Sequence, residues 1–165
     1  MPLACGTDIV NPMRPFLMLL VFVVLAFSAA AFGASFPPGE WYAGLEKPFF
    51  NPPSWLFGPV WTVLYLTIAV SGWLVWRQKG FGGARRAFAV YFVQLFLNAL
   101  WSWLFFGLHF MGLAFVEILL LWGSILATIV LFQRHHRFAG WLLVPYLLWV
   151  SFASVLNGTL WWLNR

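Results

Sequence analysis

Residues 112–132 read GLAFVEILLLWGSILATIVLF, and this stretch decides the class of fold. It holds 21 residues and one charged side chain, Glu117. An α-helix rises about 1.5 Å per residue, so roughly 20 apolar residues cross the hydrocarbon core of a bilayer. Four further stretches have the same character: about Arg14–Ala34, Gly58–Trp76, Ala87–Phe106 and Gly140–Leu163. Together they fill most of the 165-residue chain. The composition agrees, with 63% apolar and 8% charged residues. Soluble domains sit near ~45–50% and ~25%, and a small globular fold cannot hide that much apolar surface. The expected architecture is an all-α membrane protein: one domain, residues 1–165, built as a five-transmembrane-helix bundle. A soluble enzyme and a disordered chain are both excluded.

The connections are short apart from residues 35–57. That loop carries Pro37, Pro38, Pro48, Pro52 and Pro53 together with Trp41, Tyr42, Phe49, Phe50 and Trp55. Each proline fixes its own φ and restricts its predecessor, so the loop is stiff. A stiff aromatic loop over a helix bundle is expected to act as a lid. The first apolar run ends in small residues, as a signal peptide would. Its length and the spans that follow favour a retained first helix. Cys5 follows no apolar stretch, so a lipoprotein anchor is not expected, and as the single cysteine it forms no intrachain disulfide.

The net charge of +5 is distributed by side. With five spans, Arg14, Arg77, Lys79, Arg85, Arg86, Arg134 and Arg137 fall on one side and only Lys47 and Arg165 on the other. The positive-inside rule places the N-terminus and both basic turns in the cytoplasm, with the long loop and the C-terminus outside. Helical spans favour a bacterial-type cell membrane. These basic runs are topology signals and do not point to nucleic acid.

Polar residues inside spans are costly, so those that persist hold helices together or meet a ligand. Gln94, Asn98 and Trp101 or Ser102 recur at helical spacing on span three, and Tyr146, Trp149, Ala153, Asn157 and Trp161 on span five. Trp61 and Tyr65 are i, i+4 neighbours on span two. For a single Asn, such as Asn98 or Asn157, a hydrogen bond between helices is the favoured role. Glu117 reads as a structural donor, a proton relay or a shallow residue reaching water. Ala26, Ala30 and Gly33, and Gly123 with Ala127, look like close-packing faces. His109, His135 and His136 fall in loops, so haem-iron ligation is not expected. No cluster supports metal-dependent or nucleophilic catalysis. What remains is 12 Trp, 19 Phe and 4 Tyr, more than lipid contact requires. Mid-span tryptophan suits a pocket for a flat aromatic ligand. Trp76, Trp161 and Trp162 fit interfacial anchoring.

Several motifs then carry a resemblance. Trp41-Tyr42-Ala43-Gly44-Leu45-Glu46-Lys47-Pro48 with Asn51-Pro52-Pro53, and Gly58-Pro59-Val60-Trp61-Thr62-Val63-Leu64-Tyr65, resemble the TspO/MBR family of tryptophan-rich sensory or translocator proteins. The likeness continues in Gln94-Leu95-Phe96-Leu97-Asn98, Trp101-Ser102, Phe105-Phe106-Gly107, Pro145-Tyr146-Leu147-Leu148-Trp149, Phe152-Ala153 and Leu156-Asn157. The motifs run in order from about residue 14 to 163.

The resemblance implies a membrane dimer binding porphyrins such as protoporphyrin IX, and synthetic aromatic ligands, under the first loop. The porphyrin is a ligand here, and no cofactor is implied. The pocket residues it implies are Tyr42, Phe49, Pro52, Trp61, Tyr65, Asn98, Trp101, Ser102, Trp149 and Ala153. Phe49-Phe50 stand where relatives often carry Trp. In some members the tryptophans matching Trp61 and Trp149 are implicated in light-dependent porphyrin breakdown. These two would then be catalytic. Tetrapyrrole sensing or regulation, porphyrin degradation, and transport of porphyrin, lipid, sterol or another metabolite are therefore the functions in contention. Animal members bind cholesterol through a Tyr- and cation-bearing motif at the end of span five. Here Gly158 holds the Tyr position and no cation follows before Arg165, so specific sterol recognition is not expected.

Overall fold

The computed structural model describes residues 13–165. Cys5 and the tail expected before the first span lie outside the described residues. The elements are α1 (Met13–Ala34), α2 (Gly39–Ala43), α3 (Ser54–Gly83), α4 (Arg85–Ser102), α5 (Met111–His135), α6 (Arg137–Leu142) and α7 (Val144–Leu163). A π-helical turn, Trp103–Gly107, extends α4. Five stretches are long and apolar enough to cross a membrane: Met13–Ala34, Ser54–Gly83, Arg85–Gly107, Met111–His135 and Arg137–Leu163.

The helices overrun the apolar stretches at several ends, because lipid fixes the apolar length while backbone hydrogen bonding continues into the interface. α3 begins four residues before Gly58 and passes Arg77, breaking only at Gly80, whose φ of 62° is left-handed. The fifth span is jointed. Leu143 separates α6 from α7, and Pro145 follows in the first turn of α7, where its missing N–H is harmless. The long loop contains the short helix α2. One of the three histidines expected in loops lies elsewhere, since His135 ends α5; His136 is the link to α6 and caps it by accepting the Ala139 N–H at Nδ1 (3.2 Å).

The spans form a ring. α1 packs on α3 and α4, α4 on α5, and α5 on α6 and α7, while α3 meets the fifth span through α6. The far end, around α6, is tightly filled. Gly72 lets α1, α3 and α4 converge there: a Cβ on it would come within 2.8 Å of Phe22 and 2.9 Å of Tyr91. Gly72→Val is therefore expected to cost about 1–3 kcal/mol by overpacking, read as a lower unfolding temperature in detergent. A variant as stable as the parent would show that these rings can move aside.

Ala26 is fully buried and Gly33 faces Ser102, so this small-residue face does pack inside the bundle. Gly123 does not: a Cβ on it meets nothing within 4 Å, and the face it shares with exposed Leu120 and Leu126 points away from the protein. Two tryptophans without an expected role join helices. Trp73 donates to the Pro15 carbonyl (2.7 Å), and Trp122 donates to Ser151 Oγ (2.8 Å).

Candidate ligand-binding site

Toward the loop end the ring of helices encloses a cavity of about 560 Å³. All five spans contribute to its wall, and residues 36–38 with Tyr42 form part of its roof. No charged side chain lines it among the described residues. Its size lies within the usual range for small-molecule sites, and its wall is apolar with a few polar groups, as such sites require.

Eight of the ten residues read from the sequence meet here. Tyr42, Trp61, Tyr65 and Asn98 line the cavity, as do Trp101, Ser102, Trp149 and Ala153. Phe49 and Pro52 do not. Asn51 N–H donates to the Pro48 carbonyl (3.0 Å), so the chain turns between them and neighbouring side chains diverge. Phe50 takes the inward direction, 6.4 Å from the Phe152 ring, and Phe49 is left 101% exposed. Pro52 follows this turn and is half-buried outside the cavity wall. Trp161 also departs from the face it was expected to share with Trp149, packing instead against Gly112 and Phe115.

The rings in and behind the wall form three contacting sets. Trp61 lies 5.4 Å from Tyr65 and 6.2 Å from Tyr146, and Trp149 lies 5.9 Å from Phe57 and 5.6 Å from Phe152. Trp101 stacks on Phe105 at 5.0 Å. The sequence reading passed over Phe57, Ile118 and Leu121. The last two are three residues apart on α5 and could have been found by spacing alone.

Asn98 takes the interhelical hydrogen-bonding role while also lining the cavity. Its Oδ1 accepts from the Tyr65 hydroxyl, and its Nδ2 donates to the Tyr146 hydroxyl (2.9 Å). It thereby fixes the Tyr65 ring on the wall and the buried Tyr146 ring behind it. Trp101 Nε1 donates to Asn157 Oδ1 (3.0 Å), whose Nδ2 donates to the Met111 carbonyl (3.0 Å), so Trp101 offers the cavity its ring face.

The roof is pinned at three places. Asn164, just past α7, accepts from Glu46 N–H (2.9 Å) and donates to the Glu46 carbonyl (3.0 Å). Trp41 stacks on His109 at 4.0 Å, and His109 has a left-handed φ of 58°. Tyr42 donates to Asn51 Oδ1 (2.9 Å). Burial pushes the Tyr42 phenol above its ordinary range, with the Asn51 bond opposing, so it stays a neutral donor. Lys47 donates to the Ala43 and Leu45 carbonyls (2.9 and 3.0 Å), closing the end of α2. Asn164→Ala removes both Glu46 bonds and is expected to speed ligand dissociation up to about 30-fold, in line with about 1 kcal/mol per net hydrogen bond. Stopped-flow release at unchanged unfolding temperature would measure it.

Fold and site together define a membrane-embedded helical bundle closed around an aromatic, uncharged cavity. Residues 17–163 match the model of the TspO/MBR family. The chain is 45% identical over 152 residues to the tryptophan-rich protein TspO of Archaeoglobus fulgidus, covering 90% of this chain and 98% of that one. It is 42% identical over 135 residues to the human translocator protein, covering 78% and 79%. It is 37% identical over 140 residues to the tryptophan-rich sensory protein of Cereibacter sphaeroides, covering 85% and 87%. The chain belongs to the TspO/MBR family and is an integral membrane protein.

Proposed function

We propose that this protein binds porphyrins of the protoporphyrin IX type, and other flat aromatic molecules, in the cavity beneath the loop. The observation that carries this reading is the wall itself: rings from several helices and no charge. Stacking and edge contacts with such rings favour a planar macrocycle over a flexible chain. The carboxylates of a porphyrin would have to stay at the roof, because an unpaired charge inside the cavity is costly. Lys47 stands in the loop, 5.0 Å above the Tyr42 ring, and could meet them there. Names borne by relatives, tryptophan-rich sensory protein and translocator protein, accord with ligand sensing or transfer in a membrane.

Titration of nanodisc-embedded protein with free-base porphyrin, followed by tryptophan fluorescence, is expected to give saturable quenching at micromolar ligand. Non-saturable quenching, equal to that of free tryptophan, would reject the reading.

A second reading rests on Trp61 and Trp149 both lying on the wall. Either indole in contact with a photoexcited porphyrin could donate an electron to it, leaving an indole radical cation and a porphyrin radical anion, and dissolved dioxygen would then be the oxidant for light-dependent ligand breakdown. For topology, we propose that the basic turns face the cytoplasm of a bacterial-type cell membrane, by the asymmetry of cations. Dimerisation is proposed through outward apolar surface such as the exposed α1 row Phe16, Leu17, Leu20 and Val24.

A further inference from the structure

Two side chains inside the bundle are buried without any hydrogen-bond partner. Both carboxyl oxygens of Glu117 are orphaned, as are Oε1 and Nε2 of Gln94. Glu117 is 5% exposed and Gln94 1%. An unmatched buried polar group costs about 1–3 kcal/mol, and an ionisable one in a membrane span is retained where it has a use. Neither residue lines the cavity, but Ile118 and Leu121, beside Glu117 on α5, do.

Hydrogen bonds lead from the cavity toward Glu117. Tyr65, on the wall, donates to Asn98 Oδ1, and Asn98 Nδ2 donates to the Tyr146 hydroxyl. The proton of Tyr146 is spent on neither bond. Glu117 lies close enough to Tyr146 to interact with it electrostatically. The donor chain thus runs from Tyr65 on the wall to Tyr146 and stops there, with the Glu117 carboxyl nearby and unbonded. The amide of Asn98 cannot readily hand a proton on, so the chain transmits hydrogen-bond order and not protons.

We propose that Glu117 is a proton-linked partner of the cavity, its protonation coupled to ligand occupancy through Tyr146, Asn98 and Tyr65. The link to Tyr146 runs through one bridging water, and the proton exchanges with bulk solvent. This inference rests on the reading of the cavity as a porphyrin site. An ionised Glu117 holds the Tyr146 proton, which keeps Asn98 donating to Tyr146 and accepting from Tyr65. The Tyr65 ring on the wall, and the Tyr146 ring behind it, are then fixed before ligand arrives. A protonated Glu117 competes with Asn98 as donor to Tyr146 and loosens that order. Preorganisation favours binding, so affinity rises with pH as Glu117 loses its proton.

The titratable group that interacts with this carboxyl is Tyr146 on α7, and Tyr146 in turn interacts with Tyr65 on α3 and Tyr91 on α4. Arg77 and Lys79 on α3, Arg85 and Arg86 on α4, Arg134 and His135 on α5, and Arg137 on α6 all lie at the opposite end of the bundle from the cavity. The π turn carries no ionisable side chain. His109 stands exposed in the connection after it, and Arg165 follows α7 over the Trp162 ring.

The test uses protoporphyrin IX dimethyl ester, whose esterified propionates do not titrate, with full-length protein in nanodiscs. Affinity is measured between about pH 6 and pH 9, spanning ordinary and burial-shifted carboxyl titrations. Wild type is expected to bind about fivefold tighter at the upper end, the lower edge of typical coupling. Glu117→Gln and Tyr146→Phe should both bind with a flat profile. Ligand addition should also shift a carboxyl infrared band that Glu117→Gln lacks. Should Glu117→Gln not fold, Tyr146→Phe and the wild-type infrared band decide the matter. Tight binding with a flat wild-type profile, or an unchanged slope in either variant, overturns the coupling and leaves the porphyrin site standing. No binding at any pH removes the porphyrin reading, and the coupling with it.

Discussion

Replacing Trp61 and Trp149 together with alanine is expected to weaken porphyrin binding about 100-fold. Each indole lies on the cavity wall and belongs to a set of interacting rings, Trp61 with Tyr65 and Tyr146, Trp149 with Phe57 and Phe152. An aromatic contact is worth about 0.5–1.5 kcal/mol beyond area burial. Two such contacts with their lost area come to about 3 kcal/mol, which is roughly a hundredfold at 1.4 kcal/mol per factor of ten. The fold should survive, since neither indole N–H is bonded within the protein and both side chains are only half-buried. The paired phenylalanine variant separates binding from chemistry. Phe keeps an aromatic face, so affinity should fall less than tenfold, but it is a far poorer electron donor than indole. If the protein destroys porphyrin in light, loss of Soret absorbance under illumination should stop in the Phe/Phe variant. Continued loss at the wild-type rate would rule out these tryptophans as the electron source.

What could be read from the sequence follows the range of the forces involved. The bilayer imposes a length on every span, so five apolar stretches could be marked from local composition. Helical periodicity grouped Asn98 with Trp101 and Tyr146 with Trp149 for the same local reason. The bonds that give these residues their roles are not local. Asn98 is 33 residues from Tyr65 and 48 from Tyr146, and no periodicity records which of two hydroxyls it will meet. Asn164 and Glu46 are 118 residues apart, so the pin on the roof left no local trace. Phe49 and Phe50 show a finer limit. Both belong to one motif, but a turn of a few residues sends one ring to Phe152 and the other outward. Composition fixes that the loop is stiff and aromatic, whereas the turn decides which ring faces the bundle.

Asn98→Leu is expected to lower stability by about 3 kcal/mol, read as an unfolding shift in detergent or by steric trapping in bilayers. Leucine fills nearly the same volume, so the loss does not come from a cavity. It comes from the Tyr65 and Tyr146 hydroxyls. Tyr146 is fully buried and Tyr65 is 6% exposed, and each loses its Asn98 partner at once. Interhelical hydrogen bonds in membranes average about 0.6 kcal/mol and reach about 1.7, because the unfolded state in lipid finds other partners. At the average value two such bonds supply about 1.2 kcal/mol, less than half of the expected loss. The remainder is the cost of two hydroxyls left buried without a partner, about 1–3 kcal/mol each where no water reaches them. The two contributions can be told apart by removing the hydroxyls as well. In Asn98→Leu combined with Tyr65→Phe and Tyr146→Phe, no orphaned group remains. Most of the stability should return, although α3, α4 and α7 are no longer tied together by polar contacts. A triple variant as unstable as the single one would mean that the tie itself holds the helices in register. Recovery of stability with poor ligand binding would mean that these three residues serve the shape of the cavity more than the strength of the fold.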